Sequence, residues 1–351
     1  MNRTRLWLAL VLSIVLGVGS LFLALPGGLG VDTWRALAQL DPVALALALA
    51  TIGAWWAVSA MRLVMLAHAA DERLGFLQAV QAHVVGTFSA VVTPAGGGSS
   101  VGIAYMLYRF GVKSQNAAAI AVMCVVGDMT FFAWALPVSA LGLQLVGIEL
   151  PVVHLGWLVA ALSILAGAAS YLLVFRLALL VGALRRLLAV RSLRWLRIRS
   201  AAFLERLELA SRRVARQSWA WHVGFLLLSS LMRLVYFGVL LVILSGLGAE
   251  VPSGVAFSAQ VIVHAFAFAI PTPGASGYQE ASLALALRGE LAPATLSAAV
   301  ILWRLAHHYL YFVIGPLIGG LAHLRWAAET RLEGPDEQDA DVEAETGASS
   351  R

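Results

Sequence analysis

The chain has 351 residues, of which 60% are hydrophobic and only 12% charged. Apolar runs long enough to cross a hydrocarbon core, about 20 residues each, recur from end to end, which excludes a soluble domain and implies an integral membrane protein. The formal net charge of +5 is therefore a topology signal, because cytoplasmic loops carry the excess of Lys and Arg, and no nucleic-acid partner is implied.

Arg3 and Arg5 precede an apolar run over residues 6–25. The run is longer than the core of a secretory signal, and no convincing small-x-small cleavage site follows it. Residues 1–42 are thus expected to hold a retained first transmembrane helix and an outer loop. Further spans are expected at 43–66, 117–146, 152–175, 220–247 and 294–322. Between them lie two broken segments, 76–110 and 254–287, each with two apolar arms around a turn. The turns are Thr93-Pro94-Ala95-Gly96-Gly97-Gly98 and Thr272-Pro273-Gly274-Ala275-Ser276-Gly277. The arms form either full spans or a re-entrant hairpin; both give an even number of crossings.

These turns are the most informative residues. Lipid cannot satisfy exposed backbone N–H and C=O groups, so non-helical backbone at that depth must be buried in protein or line a wet cavity. A matched pair of Gly/Pro-interrupted segments in two halves points to a transporter's binding site. Pro94, Gly96, Gly97, Gly98, Pro273, Gly274 and Gly277 are the expected turn-forming positions.

Loop charges orient the chain. Arg3, Arg5, Arg62 and Arg73 favour the cytoplasm, and the stretch from Arg176 to Arg216 is dense in arginine against only Glu205 and Glu208. By the positive-inside rule that stretch is cytoplasmic, and Arg325 with Arg331 places the C-terminus there too. The order span, broken segment, span then occurs twice in opposite orientation, the pattern of many secondary transporters. The expected fold is an all-α polytopic membrane protein with inverted-topology repeats and two broken or re-entrant helical hairpins. Repeat 1 covers 43–146 with its hairpin at 76–110; a connecting transmembrane helix follows at 147–175. An Arg-rich amphipathic loop occupies 176–216, repeat 2 covers 217–322 with its hairpin at 254–287, and an acidic, disordered tail covers 323–351. Leu180, Leu184, Leu187 and Leu188 follow helical apolar spacing among these arginines, so the loop is expected to contact anionic lipid. Location is expected in the inner (plasma) membrane, with both termini cytoplasmic.

Asp128, Arg233, Glu280 and Arg304 fall inside apolar spans. A lone charge at the bilayer centre costs roughly 2.5–3.5 kcal/mol on insertion scales, so these four are expected to pair, snorkel or face water. Asp128 and Arg304 occupy similar places after the two prolines, which makes an Asp128–Arg304 pair the preferred arrangement. Glu280 begins the return arm of the second hairpin, where the helix dipole favours an acid. It is expected either to cap that arm or to contact a headgroup, with Tyr278, His264 and Thr272 as hydrogen-bonding neighbours. His307 and His308 share a helical face with Arg304. The single Cys124 excludes an intramolecular disulfide and a Cys-based zinc cluster. No phosphate-binding loop, hydrolase elbow or nucleotide fingerprint occurs. No catalytic residue, metal or cofactor is expected, and the chain is not expected to be an enzyme.

The run Ile270-Pro271-Thr272-Pro273-Gly274-Ala275-Ser276-Gly277-Tyr278-Gln279-Glu280-Ala281, with downstream Arg304 and Tyr309, resembles the signature of the lysylphosphatidylglycerol synthase membrane region, the flippase-like proteins. Pro94–Gly98, Tyr105 and the Arg109-Phe110-Gly111-Val112 turn look like that family's first repeat. The resemblance covers roughly residues 43–322. It implies movement of a modified phospholipid or lipid-linked substrate between leaflets. Two positions depart from the pattern: Ser99 stands where an acid is expected, and Cys124-Val125 where a Glu-Arg pair is expected. The expected substrate-binding set is Glu280, Arg304, Asp128, Arg233, Tyr278, Thr272, His264 and Ser99. The rival readings are a secondary transporter of a small solute and a non-catalytic membrane subunit of glycolipid or polyprenyl-sugar synthesis. Homo-oligomerisation stays open.

Overall fold

A computed structural model of the chain describes residues 28–145, 153–175 and 212–332, together with Val15, Gly19 and Leu25. Apart from Val15, Gly19 and Leu25, the expected first span, the Arg-rich stretch up to residue 211 and the tail after residue 332 lie outside the described residues.

Every regular element among the described residues is a helix. After a short helix α1 (Val31–Ala38) comes α2 (Pro42–Ala69). The Asp41 carboxylate accepts the Val43 N–H at 2.9 Å, and Pro42 takes the first helical position, where its missing N–H costs nothing. The short helices α3 (Phe76–Val91) and α4 (Gly98–Arg109) follow, then α5 (Ser114–Leu145) and α6 (Val153–Phe175). Ser218 caps α7 (Trp219–Gly246), accepting the Trp221 N–H at 3.2 Å. The chain then repeats the pattern with α8 (Ser253–Ala267), α9 (Tyr278–Leu287) and a last long helix. That helix comprises α10 (Pro293–Arg304), a π-helical turn (Leu305–Tyr309) and α11 (Leu310–Leu332).

Among the described residues, four helices are long and apolar enough to cross a membrane: Pro42–Ala69, Ser114–Leu145, Trp219–Gly246 and Pro293–Leu321, of 28, 32, 28 and 29 residues. They cover the regions where spans 43–66, 117–146, 220–247 and 294–322 are expected. The helices of 16, 12, 15 and 10 residues that flank the two Pro/Gly turns extend only about 24, 18, 22 and 15 Å at 1.5 Å per residue. Each falls short of a hydrocarbon core of about 30 Å.

Packing links the two halves. Helices α2 and α7 pack against each other and run antiparallel. The Asp41 N–H donates to Gly246 O at 3.0 Å at one end, and Arg213 Nη1 donates to Ala70 O at 3.5 Å at the other. The first short helix of each half lies on the last long helix of the other half: α3 on α11, and α8 on α5. Between α3 and α4, small residues let the backbones approach, as in helix pairs within membranes. A Cβ at Gly98 would strike Ser89 O and the Thr93 side chain, and one at Gly86 would strike Ile103. Apolar clusters fill each half around Leu66, Met106 and Leu107, and around Leu240, Leu283 and Trp303. A third, aromatic cluster with Phe131, Phe237 and Tyr311 joins α5, α7 and α11.

Candidate functional site

Both Thr-Pro turns bend in the same way. The two residues after each proline adopt the left-handed region: Ala95 at φ 53° and Gly96 at 68°, Gly274 at 54° and Ala275 at 51°. Left-handed backbone costs an L-residue roughly 1–2 kcal/mol, so the two alanines are held there by their surroundings. The turns meet: Pro94 and Pro273 form an antiparallel bridge, and the Gly274 N–H donates to Thr93 O at 3.4 Å. Backbone that lacks helical partners is satisfied partly by the opposite turn, as a low-dielectric site requires.

The first turn is closed by its own residues. Thr93 Oγ1 donates to Ser89 O at 2.7 Å and accepts the Gly98 N–H at 2.8 Å, which opens α4. The second turn is held by a charged clamp. Glu280 accepts the Gly277 N–H at 2.8 Å through Oε2, and its Oε1 lies 2.7 Å from Arg304 Nε. Arg304 also donates to Gln279 Oε1 at 2.9 Å and to Ser276 Oγ at 3.1 Å. Ser276 in turn donates to Pro273 O at 2.8 Å, and Thr272 Oγ1 donates to Ser276 O at 2.9 Å. A guanidinium in the last turn of α10 thus fixes the shape of a turn some thirty residues earlier.

A second ion cluster ties α2, α5 and α7. Asp128 Oδ1 lies 2.8 Å from Arg62 Nη1, and Asp128 Oδ2 lies 2.6 Å from Arg233 Nη2. Arg233 Nε also donates to Oδ1 at 3.3 Å, and the Arg62 guanidinium donates to Cys124 O at 3.4 Å. Arg233 lies 5.6 Å and 5.7 Å from the ring centroids of Phe132 and Tyr236, close enough for cation–π attraction.

A cavity of about 570 Å³ lies between the turns and this cluster. Its polar wall carries Arg62, Asp128, Arg233 and Arg304, with Ser99 and the turn residues Gly96, Gly97 and Gly274. Four histidines border it: His83, His264, His307 and His308. His264 Nδ1 bonds to Gln260 O at 2.9 Å and so carries its proton there; its Nε2 then accepts from Tyr236 Oη at 2.8 Å. The π turn places His307 beside Tyr236, with Nε2 3.1 Å from Tyr236 O, and His308 against Gly274. Apolar lining comes in part from α6, through Leu162, Leu165, Ala166 and Ala169. Polar groups and aliphatic carbon around one space suit an amphiphile.

Residues 6–315 match the family described as the lysylphosphatidylglycerol synthase TM region. The chain belongs to this family. It is also similar to a UPF0104 membrane protein of Archaeoglobus fulgidus, 24% identical over 295 residues, covering 81% of this chain and 88% of that protein. Like other members of the lysylphosphatidylglycerol synthase TM region family, it is a multi-pass membrane protein.

Within this family member, the residues singled out from sequence divide into groups. Asp128, Arg233, Arg304, His264 and Ser99 border the cavity. Glu280 is fully buried behind Arg304, serving as cap and counter-ion together. Thr272 is taken up in closing its turn, and Tyr278 stands in the first turn of α9, away from the cavity wall. The expected Asp128–Arg304 pair does not form. Arg304 faces α9, where Ser276, Gln279 and Glu280 converge, whereas Asp128 faces arginines of α2 and α7.

Arg62 requires a second correction. Read as a loop charge, it is instead 4% exposed inside α2 and is a partner of Asp128. Its position within the apolar run 43–66 was the available signal. His83 and Tyr236 were also missed, because nothing in their local sequence separates a cavity residue from a core one. The last span, expected at 294–322, contains the π turn; such turns are frequent at functional sites.

Proposed function

We propose that the chain is a flippase-like lipid transporter, moving a modified phospholipid or lipid-linked substrate between leaflets without a chemical step of its own. The observation that carries this reading is a cavity lined by residues of both Thr-Pro turns, by Arg62, Asp128, Arg233 and Arg304, and by aliphatic side chains of α6. Its volume of about 570 Å³ falls within the range of roughly 300–1,000 Å³ typical of small-molecule sites. The headgroup occupies the charged side while the acyl chains pass along α6 into lipid. Leu165 and Ile164 of α6, 65% and 71% exposed, continue this apolar surface outward.

The architecture supports the reading. The four helices at the turns are too short to span, α2 and α7 are antiparallel, and α3 on α11 mirrors α8 on α5. Two re-entrant hairpins in inverted repeats, 43–146 and 217–322, account for all of these at once, with the tips meeting at Pro94 and Pro273. Segments 1–42, 147–175, 176–216 and 323–351 then form the first helix, the connecting helix, the basic cytoplasmic loop and the tail. On this reading both termini lie in the cytoplasm of a cell whose inner membrane holds the protein. The basic loop rests on anionic lipid.

The test is purified protein in liposomes carrying fluorescent phospholipids, with a membrane-impermeant quencher reporting the fraction that reaches the outer leaflet. Protein vesicles are expected to lose the inner-leaflet signal at least tenfold faster than empty ones for one or more headgroups. Equal rates for every headgroup would overturn the transport reading.

A further inference from the structure

All the carboxylate oxygens of the cavity cluster and the clamp are already engaged. Asp128 meets Arg62 with one oxygen and Arg233 with both, and Glu280 meets Arg304 and the Gly277 N–H. Three arginines face two acids, so one positive charge is left over where the cavity begins. Among the described residues, Asp128 is the only acid on the cavity wall. An ammonium group entering here meets guanidinium groups and no uncommitted carboxylate.

A further feature has the same sign. The start of α4 reaches the cavity through Gly97, Ser99 and Ser100. Its Gly98 and Ser99 N–H groups are taken by Thr93 Oγ1 and Gly96 O, so what it adds is the partial positive charge of a helix N-terminus.

We propose that the cavity selects a net-anionic phosphate headgroup, seated between Arg233, Arg62 and the start of α4, and disfavours the net-cationic aminoacylated headgroup in the family's description. The inference rests on the transport reading and names its substrate class. The phosphate oxygens face the Arg233 and Arg62 guanidinium groups, and Ser99 and Ser100 hydroxyls donate from the helix start. Arg233 remains bidentate to Asp128, which holds its plane fixed.

The experiment uses the full chain in phosphatidylcholine vesicles carrying one labelled lipid at a time: phosphatidylglycerol, phosphatidylcholine or lysylphosphatidylglycerol. Inorganic phosphate uptake is measured in parallel. Phosphatidylglycerol is expected to cross at least tenfold faster than lysylphosphatidylglycerol. Ser99→Asp leaves every ion pair intact and sets a carboxylate where the helix dipole favours one; it is expected to cut that ratio at least tenfold. Arg233→Lys, which keeps the charge but loses the fork, is expected to slow phosphatidylglycerol with a smaller change in the ratio. Lysylphosphatidylglycerol moving as fast or faster would overturn the headgroup assignment and leave lipid transport standing. A ratio unmoved by Ser99→Asp in folded protein would overturn it too. Phosphate uptake with every lipid immobile would keep the anion site and overturn the lipid reading.

Discussion

Arg304 holds Glu280 at 2.7 Å with neither side chain open to solvent, 2% and 0% exposed. Removing one partner of such a pair leaves a buried charge without compensation, at a cost of about 3–5 kcal/mol. Glu280→Gln is therefore expected to lower the unfolding temperature in detergent markedly, although the amide oxygen still accepts the Gly277 N–H. The double variant Glu280→Gln with Arg304→Met, which removes both charges, is expected to recover most of the loss. Thermal unfolding of the singles and the double measures it.

Asp128 and Arg304 share no partner, whereas Asp128 and Arg233 touch. Double-mutant cycles are expected to give a coupling within about 0.5 kcal/mol for Asp128/Arg304. For Asp128/Arg233 the expected coupling is on the order of 1–3 kcal/mol. Denaturation of Asp128→Asn, Arg233→Gln, Arg304→Gln and the two doubles supplies both values.

The two turns differ in how much room surrounds their glycines. A Cβ at Gly274, at φ 54°, would run into the His308 ring and come within 3.3 Å of Val91 O. At Gly96, φ 68°, the nearest atom is Ala90 Cβ at 3.9 Å. Gly96→Ala is expected to cost only the left-handed backbone strain, roughly 1–2 kcal/mol. Gly274→Ala is expected to cost more and to disturb the meeting of the turns. Yield of monodisperse protein and unfolding temperature distinguish the two.

The opposed arrangement makes a labelling prediction. Lys113 and Glu290 are exposed at the far ends of α4 and α9 from the turns. In a Cys124→Ala background, Lys113→Cys is expected to react with impermeant maleimide from the cytoplasmic side and Glu290→Cys from the outside. Reaction of both from one side would sink the inverted arrangement.

Much of the helical order was legible, because a span or a short arm announces itself by apolar run length and by Gly/Pro punctuation. The four long helices and both turns fall where those signals put them. Ion pairing was not legible. Sequence distance after Pro94 and Pro273 matched Asp128 with Arg304, yet which faces meet depends on helix rotation, and the π turn at Leu305–Tyr309 alters that rotation in one half only. Arg62 was concealed by its nearness to a basic loop, where charge is ordinary. The capping role of Glu280 was readable from its place at a helix start. Its burial under Arg304 needed the third dimension.

The hydrogen bond from Gly274 to Thr93, with the Pro94–Pro273 bridge beside it, makes one seam out of two turns. A seam has no independent sides. Whatever loosens it from the first half also withdraws backbone partners from the second, so displacement of one turn carries a free-energy penalty that the other turn feels equally. Such shared fastening couples the two turns reciprocally: whatever pries one turn away changes the work needed to move its counterpart, even with no contact to it.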